Sequence, residues 1–350
     1  MGRRYLIVGR KSNRFEFTID TRQTNTGLSG TSDTFSIPTS KANVNYDWAI
    51  DWGDGTKERA TGTGANASDG IPHVYATPGR YDIRIEPIGS QTAWLHAFGF
   101  WNNTSGANAT SNKQKVVMPS SPLTPAMFAT NDIASYMFCG CNGVGFTMGD
   151  KFGFSKDWDD VTSVGGNFCT RMFDSCSGAA FTMSETFNIP QNIKTSGTNF
   201  LSNMFTSCSG AAFTMNSVFN LPTALSTIGT NMLFYAFSGC IGNSFTMNDV
   251  FCIPETLQLP TNMSGFLANT FYGCKGSAFQ VNDIFKFPVM TPTQLAVATA
   301  VKNTFYGVTN PQTKTTAMNI INGNPEPTAA KTAFGSGFPD WNTIPANWRQ

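Results

Sequence analysis

Apolar and polar positions alternate along three early stretches, RFEFTIDT (14–21), TFSIP (34–38) and YDWAIDW (46–52), which predicts β-strands with one buried face. In the third stretch Trp48, Ile50 and Trp52 fall on the same side. A tight Gly/Asp turn, WGDGT (52–56), and a polar loop (57–72) follow. Alternation resumes in HVYATPGRYDIRIEP (73–87), where Ala76-Thr77-Pro78-Gly79 makes a turn and Tyr81, Ile83 and Ile85 share a face. Residues 14–90 therefore read as β.

Beyond this region a longer recurrence takes over. The segments MFCGCNGVGFTMGDKFGF (137–154), MFDSCSGAAFTMSETFNIP (172–190), MFTSCSGAAFTMNSVFNLP (204–222), AFSGCIGNSFTMNDVFCIP (236–254) and TFYGCKGSAFQVNDIFKFP (270–288) align without internal gaps up to their last few residues. Their anchor residues Phe138, Phe173, Phe205, Phe237 and Phe271 recur every 32 to 35 residues, and a sixth unit begins at TFYGV (304–308), with Val308 in place of the cysteine. AFGFWNN (97–103) reads as a degenerate first unit and TAFGSGFP (332–339) as a terminal one, since the ends of a stacked array must be covered. Within a unit, a stretch such as TNFLSNMF (198–205) predicts a short helical turn, and AFTM and VFNLP each predict a short strand. No piece is long enough to bury its own face. Stacked units align Phe on Phe and Cys on Cys, which predicts a repeat solenoid with one continuous core.

Two resemblances sharpen this picture. WGDGT (52–56), HVY (73–75) and PGRYDIRI (78–85), in that order, closely resemble the polycystic-kidney-disease (PKD) type of immunoglobulin-like domain, a β-sandwich used as a spacer or binding module. The stretch LPTALSTIGTNMLFYAFSGC (221–240) resembles the leucine-rich repeats of BspA-like bacterial surface proteins, although Phe replaces most core leucines and the FTM segment lengthens each unit. The resemblances imply a mainly β chain: a PKD-like sandwich over 1–90, then a leucine-rich-repeat-type solenoid over 91–350, with its clear units at about 125–310.

Five of the eight cysteines, Cys141, Cys176, Cys208, Cys240 and Cys274, occupy one position per repeat, and they read as a column of buried thiols acting as small hydrophobes. Asp51 just before the WGDGT turn and Asp54 within it are candidate calcium ligands; the alternative is that Asp54 closes an Asx-type turn while Gly55 takes positive φ. Two histidines, His73 and His96, offer no His-rich metal or catalytic site, and no other cofactor is implied. Lys156-Asp157-Trp158-Asp159-Asp160, a tryptophan among carboxylates, has the composition of a sugar-cleaving site, but it lies in a loop between the first clear repeats, where a solvated or capping role is commoner; Glu185, Asp249 and Asp283 fit turn or cap roles. Trp341 and Trp348 lie among prolines near the C-terminus, in a stretch suited to capping the last unit.

Net charge is +1 and charged residues make up 13% of the chain, about half the usual share. That balance points away from nucleic acid. Tyr5 to Gly9 is too short for a signal-peptide core, and no apolar stretch has transmembrane length, so membrane insertion is not expected. The expectation is a non-enzymatic recognition or display protein on a virion or cell surface, with a protein or surface glycan as ligand and other virion proteins as possible neighbours. The expected form is a phage tail or head fibre or capsid decoration; a BspA-like adhesin and a glycan-active enzyme are the alternatives to it.

Overall fold

The computed structural model describes residues 13–39, 43–64, 69–101, 104–280, 282, 284–285, 292–295, 303–305 and 307–308. The residues expected to form the terminal unit, Trp341, Trp348 and Asp283 lie outside these, as does the N-terminal apolar run. Strand outweighs helix, so the chain is mainly β.

Alternating burial builds the first part. β1 (Phe15–Asp20), β3 (Asn45–Asp51) and β6 (Arg80–Pro87) turn Phe15, Phe17, Ile19, Trp48, Ile50, Ile83 and Ile85 inward, each at most 1% exposed. With β4 (Lys57–Thr63) and β7 (Val116–Pro119) they form a five-stranded sheet in the order β4-β3-β6-β1-β7, antiparallel throughout. β2 (Thr34–Pro38) pairs with β5 (Gly70–Val74) in a separate antiparallel ribbon, and its Phe35 ring lies 6.0 Å from that of Phe17.

β4 occupies the stretch read as a polar loop. It is an edge strand whose side chains are all exposed or half-buried, so no hydrophobic alternation marks it. The WGDGT turn sets its register, Asp51 opposite Lys57, and Gly53 is required there: its φ is +83°, and a Cβ would sit 2.6 Å from the Asp82 carbonyl oxygen. β7 lies beyond residue 90, so the boundary expected there falls inside one hydrogen-bonded sheet. On its outer edge β7 accepts bonds from Thr147 N to Val117 O (2.9 Å) and from Gly149 N to Pro119 O (3.0 Å), which tie the first clear repeat to the sheet.

The repeats lie against one another unit by unit, but not through the local structure expected. The stretch before each anchor phenylalanine is not helical. Asn199, Leu201 and Asn203 have φ of 55–60°, with intervening residues at negative φ, and Asn167, Cys169 and Arg171 and Asn231, Leu233 and Tyr235 repeat the pattern. Such alternation sends backbone groups sideways and along the chain in turn. Asn199, Asn203 and Phe205 donate their N–H to carbonyls of the next unit (Thr230, Phe234, Ala236), Leu201 donates back to Phe168, and Ser202, Met204 and Thr206 bond three residues back within the unit. Every one of these backbone donors is thereby satisfied. Neither the AFTM nor the VFNLP segments are regular strands; the AFTM segments meet through sparse bonds such as Met148 N to Thr182 O at 3.2 Å. Regular pairing between units is parallel and short, in β8 (Ser163–Val164) with β9 (Thr195–Ser196), continued by bridges from Thr195 to Thr227 and on to Gln258.

Aromatic columns hold the units together. Phe138, Phe173, Phe205, Phe237, Phe271 and Phe305 stack nearly parallel with ring centroids 5.5–5.8 Å apart. Phe146, Phe181, Phe213, Phe245 and Phe279 form a second column at 5.2–5.5 Å, and Phe152, Phe187, Phe219, Phe251 and Phe285 a third at 5.8–6.2 Å. Inside each unit the first and third columns meet edge to face at 5.8–5.9 Å. Phe98 extends the first column to the sheet, 6.1 Å from Phe138 and 5.3 Å from Phe15, so one hydrophobic core runs from Phe15 to Phe305.

Phe205→Ala is expected to cost about 3–5 kcal/mol in urea unfolding, because it removes a ring packed against both neighbouring units. Val218→Ala, at a side chain 40% exposed, is expected to change stability by no more than about 0.5 kcal/mol. Similar losses in the two variants would show that the columns do not carry the core.

Candidate functional site

The columns leave one edge of the stack lined by polar side chains. Asn167, Asn199 and Asn231 stand at the same left-handed position in successive units, a conformation Asn tolerates better than most residues. Their amides form a ladder: Asn231 Nδ2 donates to Asn199 Oδ1 (2.9 Å), Asn199 Nδ2 to Asn167 Oδ1 (2.7 Å), and Asn167 Nδ2 to Asp132 Oδ1 (2.6 Å). Beside it, Thr170 and Ser202 donate their hydroxyls to Asn199 O and Phe234 O of the next units.

This edge faces a groove of about 520 Å³ whose other walls include Val44, His96, Trp101, Tyr136 and Phe234. Trp101 and Tyr136 stack with centroids 4.1 Å apart at 20°. Lys113 Nζ donates to the Trp101 carbonyl at 2.7 Å and holds the backbone there. Arg171, also in the wall, is engaged by Asp174 at 2.6 Å, and Ser175 Oγ donates to the other Asp174 oxygen at 2.8 Å. Burial pushes the Asp174 carboxyl above the usual range despite these partners. The groove thus presents amides, hydroxyls and aromatic faces, with its ionic groups already partnered.

No family model, curated protein or solved structure matches the chain. Its chemistry rests on its own geometry.

The residues singled out from sequence are placed as follows. All eight cysteines are free thiols, and all but Cys252 are buried. Cys176, Cys208, Cys240 and Cys274 each donate Sγ–H to the carbonyl of the anchor phenylalanine, Phe138, Phe173, Phe205 and Phe237 in turn, at 3.0–3.1 Å. Burial raises their pKa values, and raises that of Cys139 to about 12. These are thiols packed in the core as small apolar groups.

Asp51 and Asp54 are each taken up by their own neighbours. Asp51 accepts from Gly53 N (3.1 Å) and pairs with Lys57 Nζ (3.1 Å). Asp54 accepts from Thr56 N (2.9 Å), closing an Asx turn with Gly55 at φ +93°, and its other oxygen meets His73 Nε2 at 2.9 Å. His73 stacks on Trp52 at 4.5 Å. Among the described residues no group of three or more His, Cys, Asp or Glu gathers as metal ligands would.

Lys156–Asp160 forms a 3₁₀ turn, but Trp158 is only 2% exposed. Its indole N–H donates to Leu123 O at 2.9 Å and its ring packs edge-on against Phe154 and Phe168. The acidic turn therefore lacks the exposed aromatic face its composition suggests.

The groove itself is absent from the sequence reading. Its signal is present: Asn recurs once per unit in GGNF (165–168), GTNF (197–200) and GTNM (229–232). A second recurrent asparagine, just after the FTM motif, is structural. Asn216 Nδ2 bonds Ser184 O and Phe187 O of the preceding unit while its Oδ1 accepts from Val218 N and Phe219 N, and Asn248 and Asn282 repeat this arrangement.

The thiols set an alkaline limit. Their folded pKa values are raised, so the stabilisation they give is complete below the unfolded value near pH 8.5 and is lost as pH rises, by up to about 1.4 kcal/mol per pH unit for each thiol. Urea unfolding of the reduced protein at pH 7, 9 and 10 is expected to show a steep decline above pH 9. A flat profile would contradict the buried-thiol column. In the native state Cys252 is expected to react with iodoacetamide before any other cysteine, as read by mass spectrometry of the labelled peptides.

Proposed function

We propose that this chain is a non-enzymatic recognition and display protein, in which a PKD-like immunoglobulin sandwich serves as base and a leucine-rich-repeat-type solenoid carries the recognition surface. The sheet order β4-β3-β6-β1-β7 and the Phe35–Phe17 contact between the two sheets support the sandwich reading. Hydrogen bonds and ring stacks that recur from unit to unit support the solenoid. The observation that carries the functional reading is the groove along the stack edge, where a ladder of side-chain amides runs beside a stacked Trp101–Tyr136 pair. A rigid array that repeats the same polar groups along an open edge is built to hold a ligand in place, not to transform it.

The setting that suits this architecture is a virion surface, as part of a tail or head fibre or a capsid decoration. Low charge and a Gly-, Asn- and Thr-rich composition fit that role, and among the described residues no helix is long and apolar enough to cross a membrane.

Immuno-electron microscopy of particles and producing cells, with an antibody against residues 125–310, tests the setting. Label on phage heads or tails is expected. Label confined to a cell envelope would overturn the virion reading and favour a surface adhesin. Attachment of the purified chain to host or cell surfaces, measured by flow cytometry, is expected in both settings.

A further inference from the structure

We propose that the groove takes a neutral saccharide, with one sugar ring seated on the open face of Trp101 and hydroxyls bonded along the Asp132–Asn167–Asn199–Asn231 ladder. This deepens the recognition reading above and rests on it.

Trp101 is the first argument. Four of the five described tryptophans, Trp48, Trp52, Trp94 and Trp158, are at most 2% exposed, whereas Trp101 is 37% exposed. Yet it is held, with Tyr136 stacked on it and Lys113 on its carbonyl. A fixed, solvent-facing indole offers a flat apolar surface at little entropic cost. The C–H face of a pyranose ring matches such a surface.

The second argument is the chemistry of the ladder. A side-chain amide has two N–H donors and an oxygen with two lone pairs, and the ladder bond uses one N–H and one lone pair. A sugar hydroxyl both donates and accepts, as an amide does. Asn203, half-buried in the same wall, adds a further side-chain amide beside the ladder.

Charge narrows the class. Arg171 is paired with Asp174, and Asp132 adds a further carboxylate beside Asn167, so the wall's arginine is already taken and nothing among the described residues there favours a sulfate or carboxylate. Size fits as well, since about 520 Å³ lies within the range for small-ligand sites. The Asn amides also recur once per unit, each bonded to the next at 2.7–2.9 Å. Such repetition along the groove favours a linear oligomer over a single sugar.

The test is a glycan array followed by calorimetry on the full chain. Probes are neutral hexose and N-acetylhexosamine oligomers, beside sialylated and sulfated glycans. The expected result is binding of at least one neutral series with little dependence on salt. Trp101→Ala is expected to weaken it at least about tenfold and to lower the melting temperature slightly through the lost Tyr136 stack, and Trp101→Phe to restore part of both. No binding of neutral oligomers at millimolar concentration would overturn the proposal. So would unchanged binding by Trp101→Ala, or binding restricted to acidic glycans and abolished by salt. If the chain still attaches to surfaces in that event, the groove assignment alone fails. If attachment is also missing, the recognition reading fails with it.

Discussion

Face-to-face stacking of phenylalanine between successive units is the interaction on which the rest of the repeat region depends. Three rings per unit, each lying over its equivalent in the next, fix both the spacing of units and their rotational register. Each aromatic pair adds about 0.5–1.5 kcal/mol beyond the area it buries. Because each unit is too short to hold a core alone, its fold exists only in contact with its neighbours. Phe98 and Phe15 carry the first column into the five-stranded sheet, which closes that end of the stack.

Close stacking dictates what the backbone between the rings must be. Gly178, Gly210, Gly242 and Gly276 back onto the carbonyl of the glycine one unit earlier, where any Cβ would strike it. The cysteine column is small for a related reason, since each thiol fits between rings and reaches a carbonyl of the preceding unit. The alternating left- and right-handed residues are the costliest consequence. Leu201 and Leu233 sit at φ +57°, a conformation that costs an L-residue about 1–2 kcal/mol. The inter-unit hydrogen bonds and buried side chains on the same segment offset that strain, and the asparagines share in it where they form the ladder.

What was legible in the sequence follows from this. Phe138, Phe173, Phe205, Phe237 and Phe271 stand out by spacing alone, and the structure stacks them. The strands at 15–20, 34–38, 45–51 and 80–87 show through because each has one buried face. β4 does not, because a solvated edge strand carries no apolar alternation. β7 is too short to announce itself. TNFLSNMF suggests a helix because residue type reports burial far better than the sign of φ, and alternation of that sign has no composition of its own. Trp158 shows the limit of reading a site from composition, for its neighbours in sequence are acidic and its neighbours in space are aromatic. The groove depends on Trp101 meeting Tyr136 across 35 positions, which no local motif records.

Equivalent atoms in adjacent units make the same bonds at an offset of 32 to 35 residues, as Asn216 with Asn248, Asn248 with Asn282 and Thr147 with Thr182 do. Inserting or deleting one whole unit therefore leaves every ladder closed, while the few residues by which units differ are taken up between the ladders without breaking them. Near-identical neighbours such as 172–190 and 204–222 are also where misaligned recombination of the coding sequence would act. Length in this chain is thus quantised, and descendants can differ in reach by whole steps while keeping the same cross-section.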